Sequence, residues 1–284
     1  MPHRQIAVAV VVGLSFWTIS RNRAKSLLRA SLVHGNRFLL RCSSREYRPQ
    51  DGLMVVFAPH QDDETLGCGG LIALRRYEGW PVHVVFLTDG GGSHLNHPTV
   101  SVPAIIDRRR TEARAALAEL GMESCAIHFL DEPDGTLASI DADRSSALSD
   151  RIADLLGKLQ PVEVFLPCNP DASSEHDAAH GIIIQAIHRS GRRSSVWQYP
   201  IWSWWNPLRL LHHIFHAQQR VRLPLADFTT SKAAAVACYG SQTSPTPPWS
   251  ESVIPAELLA TLQSDAEYFF AYPLPPSHEP LAEI

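Results

Sequence analysis

Residues 55–70 read VVFAPHQDDETLGCGG, and this stretch predicts a strand that runs into a turn and then into a helix. A short apolar run ends at Pro59, and a histidine and three acidic residues follow almost at once. In open α/β sheets, ligands bind outside the carboxyl ends of the strands. We therefore expect the polar cluster to lie at the binding edge of a sheet, with a helix beginning behind it.

The polar cluster has the side chains that a divalent metal needs. Zn²⁺ readily takes imidazole nitrogen and carboxylate oxygen, so His60 and Asp63 are candidate ligands. Asp62 lies between them and is a candidate general base for an attacking water. The competing interpretation is a helix N-terminus alone, where acidic residues complement the helix dipole.

Residues 59–64, PHQDDE, resemble the Pro-His-Pro-Asp-Asp-Glu signature of the PIG-L/LmbE-like de-N-acetylases. These are zinc enzymes that remove acetyl groups from N-acetylglucosamine units. Gln61 replaces a proline of the signature, which changes the stiffness of the turn but removes no ligand. The resemblance implies that His60 and Asp63 bind Zn²⁺ and that Asp62 is the base. It extends over about residues 53–272, and its specific part is the two metal motifs.

Apolar, β-rich runs alternate with helix-like segments from residue 53 onward. The predicted strands are Leu53–Ala58, Val82–Thr88, Ala126–Leu130 and Val162–Pro167. This alternation predicts right-handed βαβ units, and hence a Rossmann-like α/β fold with a mainly parallel sheet and helices on both faces. We predict one such domain over residues 51–284, preceded by an apolar and basic extension and a linker over 1–50.

A second polar segment follows the fourth predicted strand. Its histidines, His176 and His180, are four residues apart and would share one helix face. The family has a His-x-Asp-His segment here, whose last histidine is the third ligand and whose first is the general acid. The resemblance makes His176 the ligand and puts Ser173 in the place of the acid. Serine cannot donate a proton as imidazolium does, so His180 becomes the candidate donor. The alternative register, with His180 as the metal ligand and His176 as the acid, stays open.

The loop and helix that follow the second predicted strand supply the substrate side of the site. Residues 89–93, DGGGS, form a loop at the same sheet edge and lack the lysine of a phosphate-binding P-loop. The predicted helix Ile105–Leu120 carries Arg109 and Glu112, which match an Arg-x-x-Glu pattern of the family. The resemblance implies that Arg109 contacts the substrate; the alternative is a solvated, charged helix face.

Composition excludes one class of partner. The chain has 25 Lys and Arg against 29 Asp and Glu and no basic stripe, so we expect no nucleic-acid partner. Five scattered cysteines without a CxxC pair are typical of reduced thiols in a cytoplasmic protein.

Two segments raise the question of a membrane. Residues 6–19 are almost wholly apolar but shorter than the roughly 20 residues that a spanning helix needs. Basic residues follow this run, so an anchor there would keep the rest of the chain in the cytoplasm. The aromatic segment 197–215 is a second candidate for membrane-surface contact or for stacking on sugars. The alternative is that both segments pack on the domain.

These observations predict a zinc-dependent hydrolase that removes the acetyl group from a small or lipid-linked N-acetylglucosaminyl substrate. Two alternatives remain at this stage. One is an amidase or esterase that acts on another small molecule. The other is a catalytically weak metal- or glycan-binding protein, because Ser173 replaces the expected acid histidine.

Overall fold

The computed structural model describes residues 25–274 of the chain, and residues 25–43 form helix α1. The strands that follow are β1 (Arg45–Glu46), β2 (Met54–Ala58), β3 (Val82–Thr88), β4 (Ile127–Glu132), β5 (Glu163–Pro167), β6 (Ser195–Tyr199), β7 (Arg220–Pro224) and β8 (Ala266–Ala271). The longer helices are α2 (Asp63–Tyr77), α3 (Val102–Glu119), α4 (Ala142–Leu159) and α5 (Ser174–Ser190). Shorter helices follow: α6 (Trp202–Trp205), α7 (Pro207–His216), α8 (Thr229–Cys238), α9 (Gly240–Thr243) and α10 (Ala256–Leu262).

The eight described strands form one sheet in the order β1-β7-β8-β6-β5-β2-β3-β4. All neighbouring strands are parallel except that β8 is antiparallel to β6 and to β7. The prediction of a mainly parallel α/β sheet flanked by helices is therefore confirmed. The strand order changes direction at β2, which pairs with β3 on one side and with β5 on the other. Such a point opens a crevice at the carboxyl ends of the strands.

Helices cover both faces of the sheet, and this explains the unbroken apolar run of β2. All five of its residues are buried. Successive side chains of a strand point to opposite faces, so Val55 and Phe57 join the core that α4 and α5 cover. Met54, Val56 and Ala58 join the core on the other face, under α2, α3 and α8.

Helix α5 is longer than its apolar part, Ile182–Ile187, indicates. It begins at Ser174 because Ser173 is its N-cap, whose side-chain oxygen accepts a hydrogen bond from the backbone N–H of His176. Gly191, with φ 63°, ends it. The cap therefore decides where His176 lies relative to the end of β5.

The segment 43–52, which the sequence predicts to be a linker, is part of the packed domain. Its residues Arg45 and Glu46 pair with β7, and the Tyr47 hydroxyl donates to Glu163 over 2.7 Å. A strand of two residues leaves no periodic signal in a polar segment, which is why the sequence does not reveal it. The division of the chain at residue 50 stays a prediction.

The apolar run 6–19 lies outside the described residues. Between residues 25 and 274, no helix combines the length and the hydrophobicity that crossing a membrane requires.

Candidate metal centre and adjoining pocket

Loops from neighbouring strands converge at the carboxyl edge of the sheet. His60, Asp62 and Asp63 follow β2, and His176 follows β5, so the change in strand order brings the two predicted metal motifs together. Candidate ligand atoms of His60, Asp63 and His176 all lie within 4.8 Å of one another. The structure thus places the three predicted ligands as one group.

The Asp63 carboxylate lies between the two imidazoles. Its Oδ2 atom is 3.2 Å from His60 Nδ1 and 3.3 Å from His176 Nε2. The centroids of the two imidazole rings are 5.5 Å apart. Two imidazoles and one carboxylate are the donor set of many zinc sites that leave a position free for water or substrate.

His176 supplies the observation that tests whether a metal fits. Its Nε2 atom is fully buried, yet within residues 25–274 it has no aligned hydrogen-bond partner. Buried polar atoms are nearly always paired, and an imidazole nitrogen aimed at a carboxylate and a second histidine suits a cation such as Zn²⁺. The residues present therefore fit the implied metal.

The other ring nitrogen of His176 is held by Asp171. Nδ1 lies 2.8 Å from the Asp171 Oδ2 atom, and the carboxylate also accepts backbone N–H groups from Ile201, Trp202 and Ser203. A carboxylate at Nδ1 keeps the proton there, so the proton that the ring loses on binding a metal comes from Nε2. Asp171 thereby fixes both the tautomer and the direction of the ring.

The charges of these groups are strongly coupled. Burial alone would lower the pKa of each imidazole, but hydrogen bonds to Asp134 and Asp63 raise the pKa of His60 to about 9. For His176, the Asp63 charge and the hydrogen bond to Asp171 likewise overcome burial and raise the pKa to about 10. Although burial opposes it, the two histidines hold the pKa of Asp63 well below its usual range.

Asp62 lies in the same pocket with a strained backbone. Its φ of 149° and ψ of −30° lie in a region that residues other than glycine rarely adopt. The Asp62 carboxylate lies 3.3 Å from an Arg109 guanidinium nitrogen. Burial raises the pKa of the Asp62 carboxyl to about 7, and this effect outweighs the lowering by the Arg109 charge.

Arg109 and Glu112 of α3 join the metal motif to α9. Arg109 donates to the Gln61 carbonyl over 2.6 Å and to Gln242 Oε1 over 3.1 Å. Glu112 accepts the Ser241 N–H over 2.8 Å and the Ser241 hydroxyl over 2.6 Å. Arg109 also lines the pocket, and its contact with a substrate stays a prediction.

His180, the predicted proton donor, is not among the residues that line the adjoining pocket, and its role as donor stays a prediction. It is buried, its Nδ1 lies 3.0 Å from the Pro167 carbonyl oxygen, and its ring contacts Tyr272. A residue four positions along a helix shares a face but sits one turn, about 5.4 Å, further on. His176 therefore reaches past the end of β5, whereas His180 faces the strand itself. Ser173, by contrast, does line the pocket.

A second trio of His60, Asp134 and Glu175 also brings its ligand atoms within 4.8 Å of one another. The His60 Nε2 atom is 3.1 Å from the Asp134 carboxylate. Both Glu175 carboxylate oxygens, however, accept backbone N–H groups, from Leu137 at 3.3 Å and Ala138 at 3.2 Å. This trio therefore fits a metal less well than the first one.

The sequence did not single out three residues that shape the site: Asp134, Asp171 and Gln242. Asp134 lies in a stretch that reads as an ordinary turn, and Asp171 precedes the helix that carries His176. Asp134 and Asp171 share one signal, namely an acidic residue soon after a predicted strand, at the same sheet edge as the metal motif.

The pocket that His60 and Asp63 line has a volume of about 240 Å³. Its polar lining residues include Asp62, Arg109, Asp134 and Gln242. The apolar residues that line it are Leu66, Ile201, Trp202, Val253, Ile254 and Leu258. The pocket can hold a small ligand that has both polar and apolar groups.

Comparisons with known proteins found a family match and several similar solved structures. A family model described as PIG-L: GlcNAc-PI de-N-acetylase matches residues 55–187. The comparison with curated proteins gave no match.

Several solved structures share the fold. The conserved protein TT1542 from Thermus thermophilus superposes with a TM-score of 0.56 at 26% identity, over 81% of this chain and 99% of that one. GalB, the 4-carboxy-2-hydroxymuconate hydratase from Pseudomonas putida, gives a TM-score of 0.58 at 21% identity, over 82% of this chain and 100% of that one. The N,N'-diacetylchitobiose deacetylase from Pyrococcus horikoshii gives 0.53 at 18% identity, over 74% of this chain and 73% of that one.

The family match includes His60, Asp62, Asp63 and His176, the residues that converge at the sheet edge. Residues 55–187, just under half of the chain, thus match the model of the PIG-L family.

Proposed function

We propose that this protein is a zinc-dependent hydrolase that removes the acetyl group from the nitrogen of an N-acetylglucosaminyl-type substrate. The match to the PIG-L family model supports an enzyme that acts on amides. The observation that carries the proposal is the buried Nε2 atom of His176, which has no aligned hydrogen-bond partner within residues 25–274 and lies 3.3 Å from the Asp63 carboxylate and close to His60. The Asp62 carboxylate faces the same pocket.

In this proposal, His60, Asp63 and His176 hold the zinc. When bound there, Zn²⁺ polarises the amide carbonyl and makes water a stronger acid. Asp62 takes the proton of the attacking water, because a pKa of about 7 suits a base at neutral pH. Arg109 holds the Asp62 carboxylate in place through their 3.3 Å ion pair.

The leaving amine also needs a proton. His180 faces the Pro167 carbonyl, and Ser173 occupies the place of the family's acid histidine. We therefore propose that Asp62 returns the proton that it took from water to the amine nitrogen as the carbon–nitrogen bond breaks. Acetate and a free amine are the products, and the carboxylate is regenerated.

The substrate class rests on the family and on structures of the same fold. The family model is described as a GlcNAc-PI de-N-acetylase. Neighbours in fold are described as deacetylases of N,N'-diacetylchitobiose and of the antimicrobial A40926 pseudoaglycone. These descriptions support an acetylated sugar as the small-molecule partner.

The experiment is a free-amine assay of the zinc-loaded protein on a panel of N-acetyl sugars and other amides. We expect amine release from N-acetylglucosaminyl compounds above all. His176→Ala should reduce the rate at least about 100-fold, while His212→Ala, which removes a histidine on α7 far along the chain from both metal motifs, should leave it unchanged. Failure of zinc-loaded protein to release amine from any N-acetyl sugar would refute the proposal.

An esterase is the second candidate, and Ser173 favours it. An alkoxide leaves with less need of a positioned proton donor than an amine does, so a site without an acid histidine suits ester cleavage. The ratio of kcat/KM for matched O-acetyl and N-acetyl sugars separates the two candidates. A ratio far above that of base-catalysed hydrolysis in solution would favour the esterase.

We also propose that the protein contacts an anionic membrane surface. Large apolar side chains are exposed on two helices, namely Leu27, Leu28 and Phe38 on α1 and Leu208 and Phe215 on α7. Residues 25–43 contain four basic residues and no acidic one, a combination that suits anionic lipids. Sedimentation with vesicles that contain phosphatidylserine, compared with neutral vesicles, tests this. Equal recovery of protein with both would contradict it.

A further inference from the structure

A second depression adjoins the metal pocket. It has a volume of about 540 Å³ and shares Ser93 and Val253 with the metal pocket. Its remaining wall is the segment 248–252, which contains Trp249, serines and Glu251. Because two residues line both cavities, one ligand can extend from the metal pocket into this depression.

Trp249 is fixed before any ligand arrives. Its indole stacks on His94, with ring centroids 5.3 Å apart and an interplanar angle of 14°, and contacts His97 edge-on at 4.7 Å. Both histidines also bind Thr246, through its hydroxyl at 3.0 Å and its carbonyl at 3.1 Å. Two loops are thus joined into one rigid wall, and a preformed wall lowers the entropic cost of binding.

The sizes of the two cavities indicate how a substrate is divided between them. Pockets for small ligands commonly enclose about 300–1,000 Å³. The metal pocket, at about 240 Å³, is below this range. It can take the acetylated unit, whereas a group attached to that unit must extend into the neighbouring depression.

The residues that line the depression favour a neutral, hydroxylated sugar ring over a charged group. The indole offers an apolar face, and the serine hydroxyls donate and accept hydrogen bonds. The charged residue that lines the depression is Glu251, and no lysine or arginine from the described part of the chain lines it. A phosphate group would therefore meet a negative charge without a cation, which is unfavourable.

We propose that this depression is a second sugar subsite, in which Trp249 packs against the ring next to the acetylated unit. The proposal rests on the proposed deacetylase function and narrows its substrates to neutral glycans of at least two rings. The protein should then prefer such glycans to N-acetylglucosaminyl phosphates.

Steady-state kinetics on N-acetylglucosamine and on its β-1,4-linked disaccharide test the subsite. We expect Trp249→Ala to raise KM for the disaccharide about tenfold, the upper range of one aromatic contact, and to change the constants for the monosaccharide less than about twofold. Trp249→Phe should keep most of the affinity. Tyr77→Ala, which removes an exposed aromatic ring on α2, is the matched control and should affect neither substrate. An equal effect of Trp249→Ala on both substrates, or no effect on the disaccharide, would overturn the proposal.

Glu251→Lys provides a variant that should fold normally, because Glu251 is exposed. We expect it to raise kcat/KM for N-acetylglucosamine 1-phosphate several-fold and to leave the monosaccharide unchanged. An unchanged value for the phosphate would count against the subsite.

Calorimetric binding of the disaccharide distinguishes the subsite from the reaction. If the wild-type protein releases no amine but binds the disaccharide, and Trp249→Ala weakens this binding, the deacetylase function fails and the subsite stands. If the protein releases amine but Trp249→Ala binds the disaccharide as tightly as wild type, the subsite fails and the deacetylase function stands.

Discussion

Asp171 orients the imidazole ring of His176, a proposed metal ligand, but is not itself a proposed ligand. Replacing Asp171 by asparagine therefore tests how much the orientation of His176 contributes to zinc affinity. The side chain is fully buried, and its Oδ2 atom faces His176 Nδ1 at 2.8 Å. Asparagine has the same shape, and its oxygen can still accept the Ser203 N–H now bonded at 2.9 Å. Its amide nitrogen would then lie opposite Nδ1 and donate to it, which in the neutral ring would move the imidazole proton to Nε2. The Trp202 N–H, now bonded to Oδ2 at 3.1 Å, would lose its acceptor.

The expected magnitude follows from this change of tautomer. Loss of a hydrogen-bonded partner behind a metal-binding histidine typically weakens metal affinity about 10- to 100-fold, or about 1.4–2.7 kcal/mol. We expect the zinc Kd of Asp171→Asn to rise by that factor. Loss of the charge-assisted bonds should also lower the free energy of unfolding by about 1.5–3 kcal/mol.

Competition with a chelator of known affinity gives the Kd, and circular dichroism of the metal-free protein gives the stability. Glu163→Gln is the matched control, since Glu163 is a buried carboxylate that accepts hydrogen bonds from Tyr47 at 2.7 Å and Trp197 at 3.2 Å but lies at the other end of β5. It should lose stability and keep the zinc Kd. A folded Asp171→Asn protein with a wild-type Kd, or an equal loss of affinity in the control, would refute the reasoning.

Three further predictions concern the proposed site. Asp62→Asn should keep zinc bound and slow hydrolysis about 100- to 10,000-fold; simultaneous loss of zinc, measured by elemental analysis, would contradict its role as base. Ser173→His should leave kcat for amides unchanged, because Asp62 is proposed to donate the proton; a large rise in kcat would mean that the site lacks a donor and would contradict that role. Zinc affinity should rise with pH, because the raised pKa values of His60 and His176, about 9 and about 10, mean that both are protonated at neutral pH and must lose protons to bind metal. At neutral pH, calorimetry in buffers of different ionisation enthalpy should therefore show about two protons released per zinc, and release of none would count against this.

The elements that the sequence predicted best are those whose burial leaves a local signal. Strands β2, β3 and β5 lie between two layers of helices, so they read as continuous apolar runs. The grouping of His60, Asp63 and His176 was also predictable, since parallel strands place their carboxyl ends at one edge.

What the sequence missed depends on contacts between distant parts of the chain. Strand β8 enters the sheet between β6 and β7 in the opposite direction, and nothing in its local pattern specifies those neighbours. The spacing of His176 and His180 predicted that they share one face of α5. It did not predict which of them lies beyond the end of β5 and which lies beside the strand. Asp171 gains its role from the backbone of residues 201–203, which no local motif indicates.

The most direct test of the central claim, that three side chains from two strand ends hold one cation that serves amide hydrolysis, is a zinc titration of chelator-treated protein. Amine release from an N-acetylglucosaminyl substrate is followed at each step. The proposal predicts no activity without metal and a linear rise that ends at one zinc per chain. Full activity in the chelated protein, or no amine at one bound zinc per chain, would contradict it.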